Sequence, residues 1–240
     1  MIDIHSHLLY GIDDGSKSID ESVSIIKHMS EVGYTDIILT PHYIVDSHYD
    51  SPRSDNIVLM NSLKKALLDN KIDVNLYLGN EIYMDDDIDE LLDEGKISSL
   101  NDSGFLLIEL PMNGEYEGYI DVFEYLIGKG YQVILAHPER YHSFQKDFNK
   151  VYELEKIGVY FQSNIESILG SYGKGAIKTV KRLLKEKKIS FLASDIHHRK
   201  HDYGKFNRAF KKIRRYVSKE DLELLIYGNP YKLISFNRKW

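Results

Sequence analysis

Two histidines stand one residue apart at the start of the chain, and an aspartate and a histidine repeat that spacing near its end. His5 and His7 follow a short apolar run, and Asp195 and His197 follow another. Residues i and i+2 of an extended strand point to the same side, so each pair can direct two donor atoms at one ion. This pattern is typical of a metal hydrolase, although an isolated pair can also arise by chance at a surface strand end.

Further imidazole and carboxylate side chains follow the apolar runs between these two pairs. They are His42 in Leu-Thr-Pro-His, Glu81 in Leu-Gly-Asn-Glu, Glu109 in Leu-Ile-Glu-Leu-Pro and His137 in Ile-Leu-Ala-His-Pro-Glu-Arg. If the runs are parallel strands of a barrel, their carboxyl ends converge on the face that carries active sites. Any one of these residues could be a solvated loop residue or a buried core histidine. Their joint occurrence at six of seven strand ends indicates one polar site.

Seven short apolar runs alternate with helical patterns and must position these side chains. The predicted strands are Ile2–Ile4, Asp36–Thr40, Val74–Leu78, Phe105–Leu110, Gln132–Ala136, Val159–Gln162 and Ile189–Ala193. Their nearly continuous hydrophobicity is expected of strands that are covered on both faces. The first helix is predicted between Ser18 and Gly33, because Ser18 and Glu21 form a capping box ahead of apolar residues at helical spacing. Further helical patterns cover 55–68, 120–128, 149–157, 175–186 and 205–217.

Strand–helix alternation with short connections predicts parallel strands joined by right-handed crossovers. Seven such units in 240 residues favour an α/β fold, a distorted seven-stranded TIM-like barrel. An open doubly wound sheet is the alternative. Two small domains would also fit this length, but no linker or repeat divides the chain, so we expect a single domain over residues 1–240.

The composition excludes several classes of protein. A hydrophobic content of 42% and a charged content of 28% are typical of a soluble globular protein. The absence of cysteine excludes disulfides, thiolate metal sites and a thiol nucleophile, and it is consistent with a reducing compartment. The net charge of −6 argues against a general nucleic-acid-binding protein. No signal peptide or transmembrane run is recognisable, so we expect a cytoplasmic protein without direct membrane insertion.

Charge is distributed unevenly along the chain. Residues 85–94 include seven acidic side chains, whereas residues 199–215 include eight lysines or arginines and one aspartate. Such runs are typical of solvated helix faces. The basic run begins beside the Asp195 and His197 pair, so it could also attract an acidic partner toward that site.

Read in order, these residues resemble the polymerase-and-histidinol-phosphatase (PHP) family of metal phosphoesterases, from Asp3 to about His198. The opening Asp-Ile-His-Ser-His-Leu-Leu-Tyr-Gly-Ile-Asp-Asp-Gly is similar, more narrowly, to bacterial PHP-type protein tyrosine phosphatases. Thr-Pro-His-Tyr at 40–43, Gly-Asn-Glu at 79–81, His-Pro-Glu-Arg at 137–140 and Ala-Ser-Asp-Ile-His at 193–197 continue the likeness. The resemblance implies that the barrel is of the PHP type.

The resemblance also implies three divalent metal ions. His5, His7, Glu81 and Asp195 would hold the first ion; Glu81 would bridge to a second, completed by Glu109 and His137; Asp14, His42 and His197 would hold the third. Asp13 and Asp14 are adjacent, and Asp14 is preferred from the motif. Nitrogen and oxygen ligands without sulfur suit Mn²⁺, Zn²⁺ or Fe²⁺, and we expect Mn²⁺.

Two arginines are implied as phosphate-binding residues. Arg140 would bind the substrate phosphate, because a planar guanidinium pairs with two phosphate oxygens. Its alternative role is a salt bridge to Glu139 or to another acid at the rim of the site. Arg199 is the nearest candidate for a second arginine, although its spacing is shorter than in the family.

The implied activity is that of a metal-dependent protein-tyrosine phosphatase. Its substrate would be phosphotyrosine on a bacterial tyrosine kinase with an acidic or tyrosine-rich tail, or on the substrates of that kinase, and it would regulate capsule or exopolysaccharide synthesis. The alternatives are a small-molecule phosphatase such as histidinol phosphatase, a catalytically silent metal-binding module, and a nuclease, which the acidic balance disfavours. Six tyrosines could form an aromatic rim around the site: Tyr43, Tyr49, Tyr116, Tyr119, Tyr141 and Tyr203.

Overall fold

The computed structural model describes residues 1–113, 117–198 and 204–235, and within them all strand pairings are parallel. The strands are β1 Ile2–Asp3, β2 Asp36–Leu39, β3 His42–Tyr43, β4 Asn75–Leu78, β5 Glu81–Tyr83, β6 Phe105–Glu109, β7 Gln132–Ala136, β8 Tyr160–Asn164 and β9 Phe191–Ala193. One sheet has the order β1-β2-β4 and the other the order β3-β5-β6-β7-β8-β9. The chain therefore has an α/β fold built on parallel sheets.

Each of the seven predicted strands is present, and two short strands, β3 and β5, are additional. Both lie just beyond a predicted strand: Thr40 and Pro41 separate β2 from β3, and Gly79 and Asn80 separate β4 from β5. Proline has no N–H to donate to a sheet. At Gly79, a Cβ atom would lie 2.7 Å from the Leu100 side chain, so only glycine permits this close approach. Pairing nevertheless continues across the breaks, because β2 pairs with β4 and β3 pairs with β5.

The first and last strands meet beyond their carboxyl ends. Ser6 and Ile196 form an isolated parallel bridge. The backbone N–H of Asp195 donates to the carbonyl of His5 over 2.9 Å, and that of His7 donates to the carbonyl of Ile196 over 3.0 Å. These bonds bring the two paired motifs of the sequence side by side.

Ten α-helices lie in the described ranges. They are α1 Ile19–Glu31, α2 Arg53–Asp69, α3 Ile88–Asp93, α4 Ile120–Gly128, α5 His142–Lys146, α6 Asn149–Lys156, α7 Gly173–Lys185, α8 Gly204–Ile213, α9 Lys219–Glu223 and α10 Asn229–Ser235. The predicted cap of α1 is confirmed, since Ser18 Oγ accepts from the N–H of Glu21 over 3.2 Å. The helix predicted to reach residue 217 ends at Ile213, and the short helices α3, α5, α9 and α10 were not predicted. None of the described helices is both long and apolar enough to cross a membrane.

Apolar side chains cover both faces of the strands, as their continuous hydrophobicity predicted. In β7, Ile134 and Ala136 belong to one buried cluster, whereas Val133 and Leu135 belong to a larger cluster that includes the helices. Leu233 and Ile234 of α10 pack into the smaller cluster together with Ile2. With both faces filled, the polar side chains collect where the strands end.

Candidate metal centre

All nine side chains predicted as metal ligands lie together where the strands end. Three groups of donor atoms each lie within 4.8 Å of one another: His5, His7, Glu81 and Asp195; His42, Glu81 and Glu109; and His7, Asp14, His42 and His197. The ninth side chain, His137, directs Nε2 at Glu81 Oε1 over 2.9 Å. Because Glu81, His7 and His42 each belong to two groups, the three groups form one continuous cluster.

The first group is the most compact. The Nε2 atoms of His5 and His7 lie 3.2 Å apart. Glu81 Oε2 lies 3.1 Å from the first of these nitrogens and 3.2 Å from the second, and Asp195 Oδ1 lies 3.4 Å from each. All four side chains are buried. Four donor atoms thus surround a single point that water does not reach freely.

The hydrogen bonds behind this group indicate that it fits a cation. His7 Nδ1 lies 2.8 Å from the carboxylate of Asp13, which accepts hydrogen bonds and does not donate them. His7 Nδ1 therefore carries a proton, which leaves Nε2 as the ring nitrogen that can bind a metal ion. Asp195 Oδ1 is buried without a hydrogen-bond partner. Electron-rich atoms that face one another in this way match the donor set of a divalent ion.

Glu81 and Glu109 form the second group with two histidines. Glu109 Oε1 lies 3.6 Å from His137 Nε2, which also contacts Glu81. His42 Nδ1 lies 3.2 Å from Glu81 Oε2 and 3.7 Å from Glu109 Oε2. The resemblance assigns His42 to the third ion alone, but the structure places its two ring nitrogens toward different groups.

The third group lies on the open side of the cluster. Asp14 Oδ1 lies 3.4 Å from His197 Nε2 and 3.6 Å from His42 Nε2. The His197 ring stacks on the His7 ring with 3.9 Å between the ring centroids. The two adjacent aspartates are clearly distinguished: Asp14 is half exposed and faces the histidines, whereas Asp13 is buried beneath His7.

Burial and the neighbouring charges shift the pKa values of this cluster. Burial raises the pKa of Glu109, and the carboxylate of Glu81 raises it further, to about 8. Burial alone would lower the pKa of His5, but Glu81 and Asp195 outweigh it and raise the pKa to about 9. Burial, with help from a nearby guanidinium, lowers the pKa of His137 to about 4. The carboxylates thus retain protons on neighbouring groups, and a bound cation would displace those protons.

Left-handed backbone conformations direct two of these side chains into the cluster. His137 has a φ of 32°, and Asp195 has a φ of 53°. Residues other than glycine adopt this region at a cost of about 1–3 kcal/mol, and such residues cluster at functional sites. Both residues stand directly after or close to the end of a strand, where the turn redirects the side chain.

Arg140 reaches the cluster from the 3₁₀ turn Pro138–Arg140. Its Nη1 donates to Asp195 Oδ2 over 3.0 Å, and its guanidinium carbon lies 4.7 Å from the centroid of the Tyr172 ring. A quarter of its side chain is exposed. Arg140, Tyr172 and Asp195 border a cavity of about 410 Å³ that also contacts Glu166 and Lys205. The guanidinium therefore lies between the buried cluster and an open cavity.

Glu139, the neighbouring acid considered as an alternative partner of Arg140, turns away from it. Glu139 Oε1 accepts from the backbone N–H of Asn164 over 2.9 Å and from Ser167 Oγ over 2.6 Å. The salt bridge that Arg140 does form involves Asp195. The second arginine of the sequence analysis, Arg199, lies outside the described residues.

Sequence reasoning missed three side chains beside the cluster: Gln162, Asn164 and Tyr172. Gln162 Oε1 lies 2.9 Å from His5 Nδ1, and Asn164 Nδ2 donates to Asp195 Oδ2 over 2.6 Å. The signal was the run Gln-Ser-Asn at the end of a strand to which no ligand had been assigned. Single amides of this kind are common at strand ends, so the pattern alone had little specificity.

The expected aromatic rim is present only in part. The Tyr49 ring stacks on the His42 ring with centroids 5.9 Å apart. Tyr43 and Tyr141 are buried instead, and Tyr119 packs partly against the core. Tyr116 and Tyr203 lie outside the described residues.

Comparison with known proteins identifies the family. The model of the capsular polysaccharide synthesis family CpsB/CapC matches residues 1–235. The putative tyrosine-protein phosphatase CapC of Staphylococcus aureus is 35% identical over 198 residues, which cover 82% of this chain and 77% of that protein. A chain from the crystal structures of YwqE from Bacillus subtilis and CpsB from Streptococcus pneumoniae, metal-dependent tyrosine phosphatases, is 28% identical with a TM-score of 0.91, covering 98% of this chain and 95% of that one.

A more distant structure shares the fold. The histidinol phosphate phosphatase of Lactococcus lactis, solved with zinc, L-histidinol and phosphate, has a TM-score of 0.59 at 14% identity and covers 90% of this chain and 94% of its own. The family match spans nearly the whole sequence and includes every residue of the cluster described above. The chain belongs to the CpsB/CapC family of capsular polysaccharide synthesis proteins.

Proposed function

We propose that this protein is a metal-dependent phosphatase that hydrolyses phosphotyrosine in proteins. The observation that supports this most strongly is the buried convergence of His5, His7, Glu81 and Asp195, with the Arg140 guanidinium at its edge. The names of its relatives agree, since CapC, YwqE and CpsB are described as tyrosine phosphatases. The substrate would be a bacterial tyrosine kinase or one of its target proteins, in the context of capsule or exopolysaccharide synthesis.

In this proposal the cluster holds three divalent ions. His5, His7, Glu81 and Asp195 would hold the first, and Glu81 would bridge to a second held with Glu109 and His137. Asp14, His42 and His197 would hold the third, with His42 Nδ1 also close to the second. Bound together, such ions act as Lewis acids on the phosphoryl oxygens and lower the pKa of a coordinated water. The sulfur-free ligand set is compatible with Mn²⁺, which we favour, and with Zn²⁺ or Fe²⁺.

Arg140 is proposed to bind the phosphate of the substrate. Its guanidinium would turn from Asp195 Oδ2 toward the cavity and pair with two phosphate oxygens. Tyr172 lies against the guanidinium and would restrict its movement to that plane. Charge that develops on the phosphoryl oxygens during hydrolysis would be stabilised by this fixed cation. Arg199 remains a proposed second phosphate-binding residue, supported by the resemblance alone.

We also propose that the two sheets are parts of one distorted seven-stranded barrel of the PHP type. β2 and β3, and likewise β4 and β5, would be segments of single strands interrupted at Pro41 and Gly79. The bridge between Ser6 and Ile196 would close the ring between the first strand and the last. A single domain over residues 1–240 and a cytoplasmic location belong to the same proposal, and the lack of cysteine is consistent with a reducing compartment.

A protein substrate is favoured over a small molecule by the comparisons. The likeness to metal-dependent tyrosine phosphatases has a TM-score of 0.91, whereas that to a histidinol phosphate phosphatase has one of 0.59 at half the sequence identity. The decisive experiment compares turnover of a phosphotyrosine peptide with that of histidinol phosphate, using protein loaded with Mn²⁺. Faster turnover of the peptide, lost with EDTA and restored by Mn²⁺, supports the proposal. Preference for histidinol phosphate would make the protein a small-molecule phosphatase, and full activity in metal-free protein would exclude the metal mechanism.

A further inference from the structure

Strand β8 ends in two buried amides that connect residues from opposite ends of the chain. Gln162 and Asn164 are two residues apart, so their side chains lie on the same side of the strand. Gln162 Oε1 lies 2.9 Å from His5 Nδ1, and Gln162 Nε2 donates to Asn164 Oδ1 over 2.9 Å. Asn164 Nδ2 donates to Asp195 Oδ2 over 2.6 Å. A continuous line of hydrogen bonds thus joins His5 to Asp195.

The direction of each of these bonds follows from the carboxylate at one end. An ionised Asp195 only accepts hydrogen bonds, so the atom of Asn164 that faces it must be the amide nitrogen. The amide oxygen of Asn164 then faces Gln162, which must present its own nitrogen there and its oxygen to the histidine. His5 Nδ1 therefore carries a proton, which leaves Nε2 as the ring nitrogen that can bind a metal ion.

Asp195 Oδ2 also accepts from Arg140 Nη1 over 3.0 Å, and a guanidinium only donates hydrogen bonds. The carboxylate that directs the line of hydrogen bonds is thus ionised. Neither amide can rotate by 180° without placing two donors or two acceptors against each other, so the orientation of both is fixed by the carboxylate.

Asn164 also connects this line to the phosphate side of the site. Its Nδ2 lies 3.2 Å from the hydroxyl of Tyr172, whose ring contacts the Arg140 guanidinium. Arg140 and Asn164 share the same oxygen of Asp195. If Arg140 turns to a phosphate, as the proposed function requires, Asn164 still holds Oδ2 and leaves Oδ1 directed at the first group.

We propose that Gln162 and Asn164 are positioning residues that fix the tautomer of His5 and the orientation of Asp195, and thereby strengthen metal binding at the first group. This inference extends the proposed function to two residues of a strand that supplies no ligand itself. Residues that orient metal ligands through hydrogen bonds commonly account for 10–100-fold in metal affinity.

The test measures metal affinity rather than activity. Zn²⁺ and Mn²⁺ affinities are determined by competition with a chelator for wild-type protein, Gln162→Leu, Gln162→Glu and Asn164→Asp. Gln162→Leu should bind metal about 10–100-fold more weakly, because His5 loses its acceptor. Gln162→Glu keeps an acceptor for His5 but loses the donor to Asn164 Oδ1, so it should recover only part of the affinity. Asn164→Asp places a second carboxylate against Asp195 and should weaken binding by about 10-fold or more.

A matched control separates this role from general packing. Gln132→Leu makes the same substitution at the start of β7, where the Gln132 side chain donates to the backbone oxygen of Tyr131, and it should leave the affinity unchanged. In ¹⁵N-labelled, zinc-loaded protein, the His5 Nδ1–H signal should persist in Gln162→Glu and disappear in Gln162→Leu. The signal is assigned from its absence in His5→Asn.

Unchanged affinity and an unchanged Nδ1–H signal in Gln162→Leu would overturn the inference. Should that variant fail to fold, Asn164→Asp decides: wild-type affinity there overturns it and weakened affinity supports it. If the variants weaken metal binding as expected but the wild-type protein hydrolyses no phosphotyrosine, the inference is sustained and the proposed function is removed. Wild-type protein that hydrolyses phosphotyrosine, together with Gln162 and Asn164 variants of unchanged metal affinity, would sustain the proposed function and remove the inference.

Discussion

Arg140 Nη1 and Asp195 Oδ2 lie 3.0 Å apart, so the cation beside the cluster is held by one of the cluster's own carboxylates. The opposite oxygen of Asp195 faces the histidines of the first group. One carboxylate thus faces both the proposed metal site and the guanidinium that we propose binds phosphate. Substrate that draws Arg140 away would leave Asp195 with more negative charge for the ions.

Arg140→Ala should lower kcat/KM for a phosphotyrosine peptide by about 100-fold or more, the loss expected for a cation that stabilises charge in the transition state. The metal content should be unchanged, because Asp195 keeps its bond to Asn164. Arg182→Ala is the control, since Arg182 of helix α7 forms an ion pair with Glu186, just beyond the end of that helix. An Arg140→Ala protein that has also lost its metal would indicate a structural salt bridge.

Glu81→Gln should be among the most damaging substitutions, because Glu81 contacts histidines of the first two groups. The amide is nearly isosteric but presents a neutral, weaker donor. We expect turnover to fall by more than about 100-fold, since even residues behind the ligands account for 10–100-fold. Metal content and turnover are measured together, with Glu186→Gln as the control. Wild-type metal content and rate would remove Glu81 from the site.

Stability and metal binding should depend on pH in opposite directions. The folded-state pKa values of His5, about 9, and Glu109, about 8, both exceed their ordinary values, so these two groups hold more protons in the folded protein than in the unfolded chain. Without metal, the stabilisation is present below the ordinary pKa values and is lost as pH rises through 8 and 9. Metal displaces these protons, so Mn²⁺ affinity should rise over the same range. Denaturant unfolding in EDTA at pH 6 and pH 9 and Mn²⁺ titrations test both signs.

Removing the hydroxyl should change the free energy of unfolding in opposite directions at two buried tyrosines. The Tyr34 hydroxyl is buried without a hydrogen-bond partner, whereas the Tyr141 hydroxyl accepts from the N–H of Leu110 over 3.0 Å. Tyr34→Phe should raise the free energy of unfolding by about 1 kcal/mol, and Tyr141→Phe should lower it by about 1 kcal/mol. Denaturant unfolding of the two variants measures both. Destabilisation by Tyr34→Phe would mean that its hydroxyl has a partner in solution.

Charge on the segment after the cluster should steer acidic substrates. Lys211 on helix α8 and Arg215 just beyond its end are exposed. The pair Lys211→Glu and Arg215→Glu should raise KM for an acidic phosphotyrosine peptide, less so at high salt, and leave p-nitrophenyl phosphate hydrolysis unchanged. The matched control is the double variant Lys27→Glu and Lys65→Glu, which reverses the same number of charges at two exposed lysines outside helix α8. Equal effects on both substrates, or none, would contradict steering.

The sequence predicted those features that depend on a repeating physical pattern. The i and i+2 spacing placed His5 and His7 on one side of the chain, and the apolar runs located all seven predicted strands. The short strands β3 and β5 were not predicted, because Thr-Pro-His at 40–42 and Gly-Asn-Glu at 79–81 interrupt the apolar runs ahead of them. Short helices such as α3 and α5 lack enough turns to show a period.

Roles that depend on three-dimensional partners were harder to predict. Asp13 and Asp14 are identical in type and adjacent, and only the fold shows that one supports His7 while the other faces His197. Gln162 and Asn164 carry no charge and belong to no motif, and their partners lie far away in the sequence. Such amides become recognisable only when the carboxylate that directs them is in place.

The meeting of the first and last strands has a consequence for biosynthesis. The first group combines His5 with Asp195, and the bonds around Ser6 and Ile196 that align them span most of the chain. Contacts of such long range form late, because loop closure must precede them. During translation, His5 and His7 leave the ribosome long before Asp195, so the four donor atoms of the first group cannot come together until Asp195 has been synthesised. A metal ion that needs all four donor atoms of the first group could therefore bind fully only after this long-range contact has formed, and nascent chains that end before Asp195 would lack the complete group.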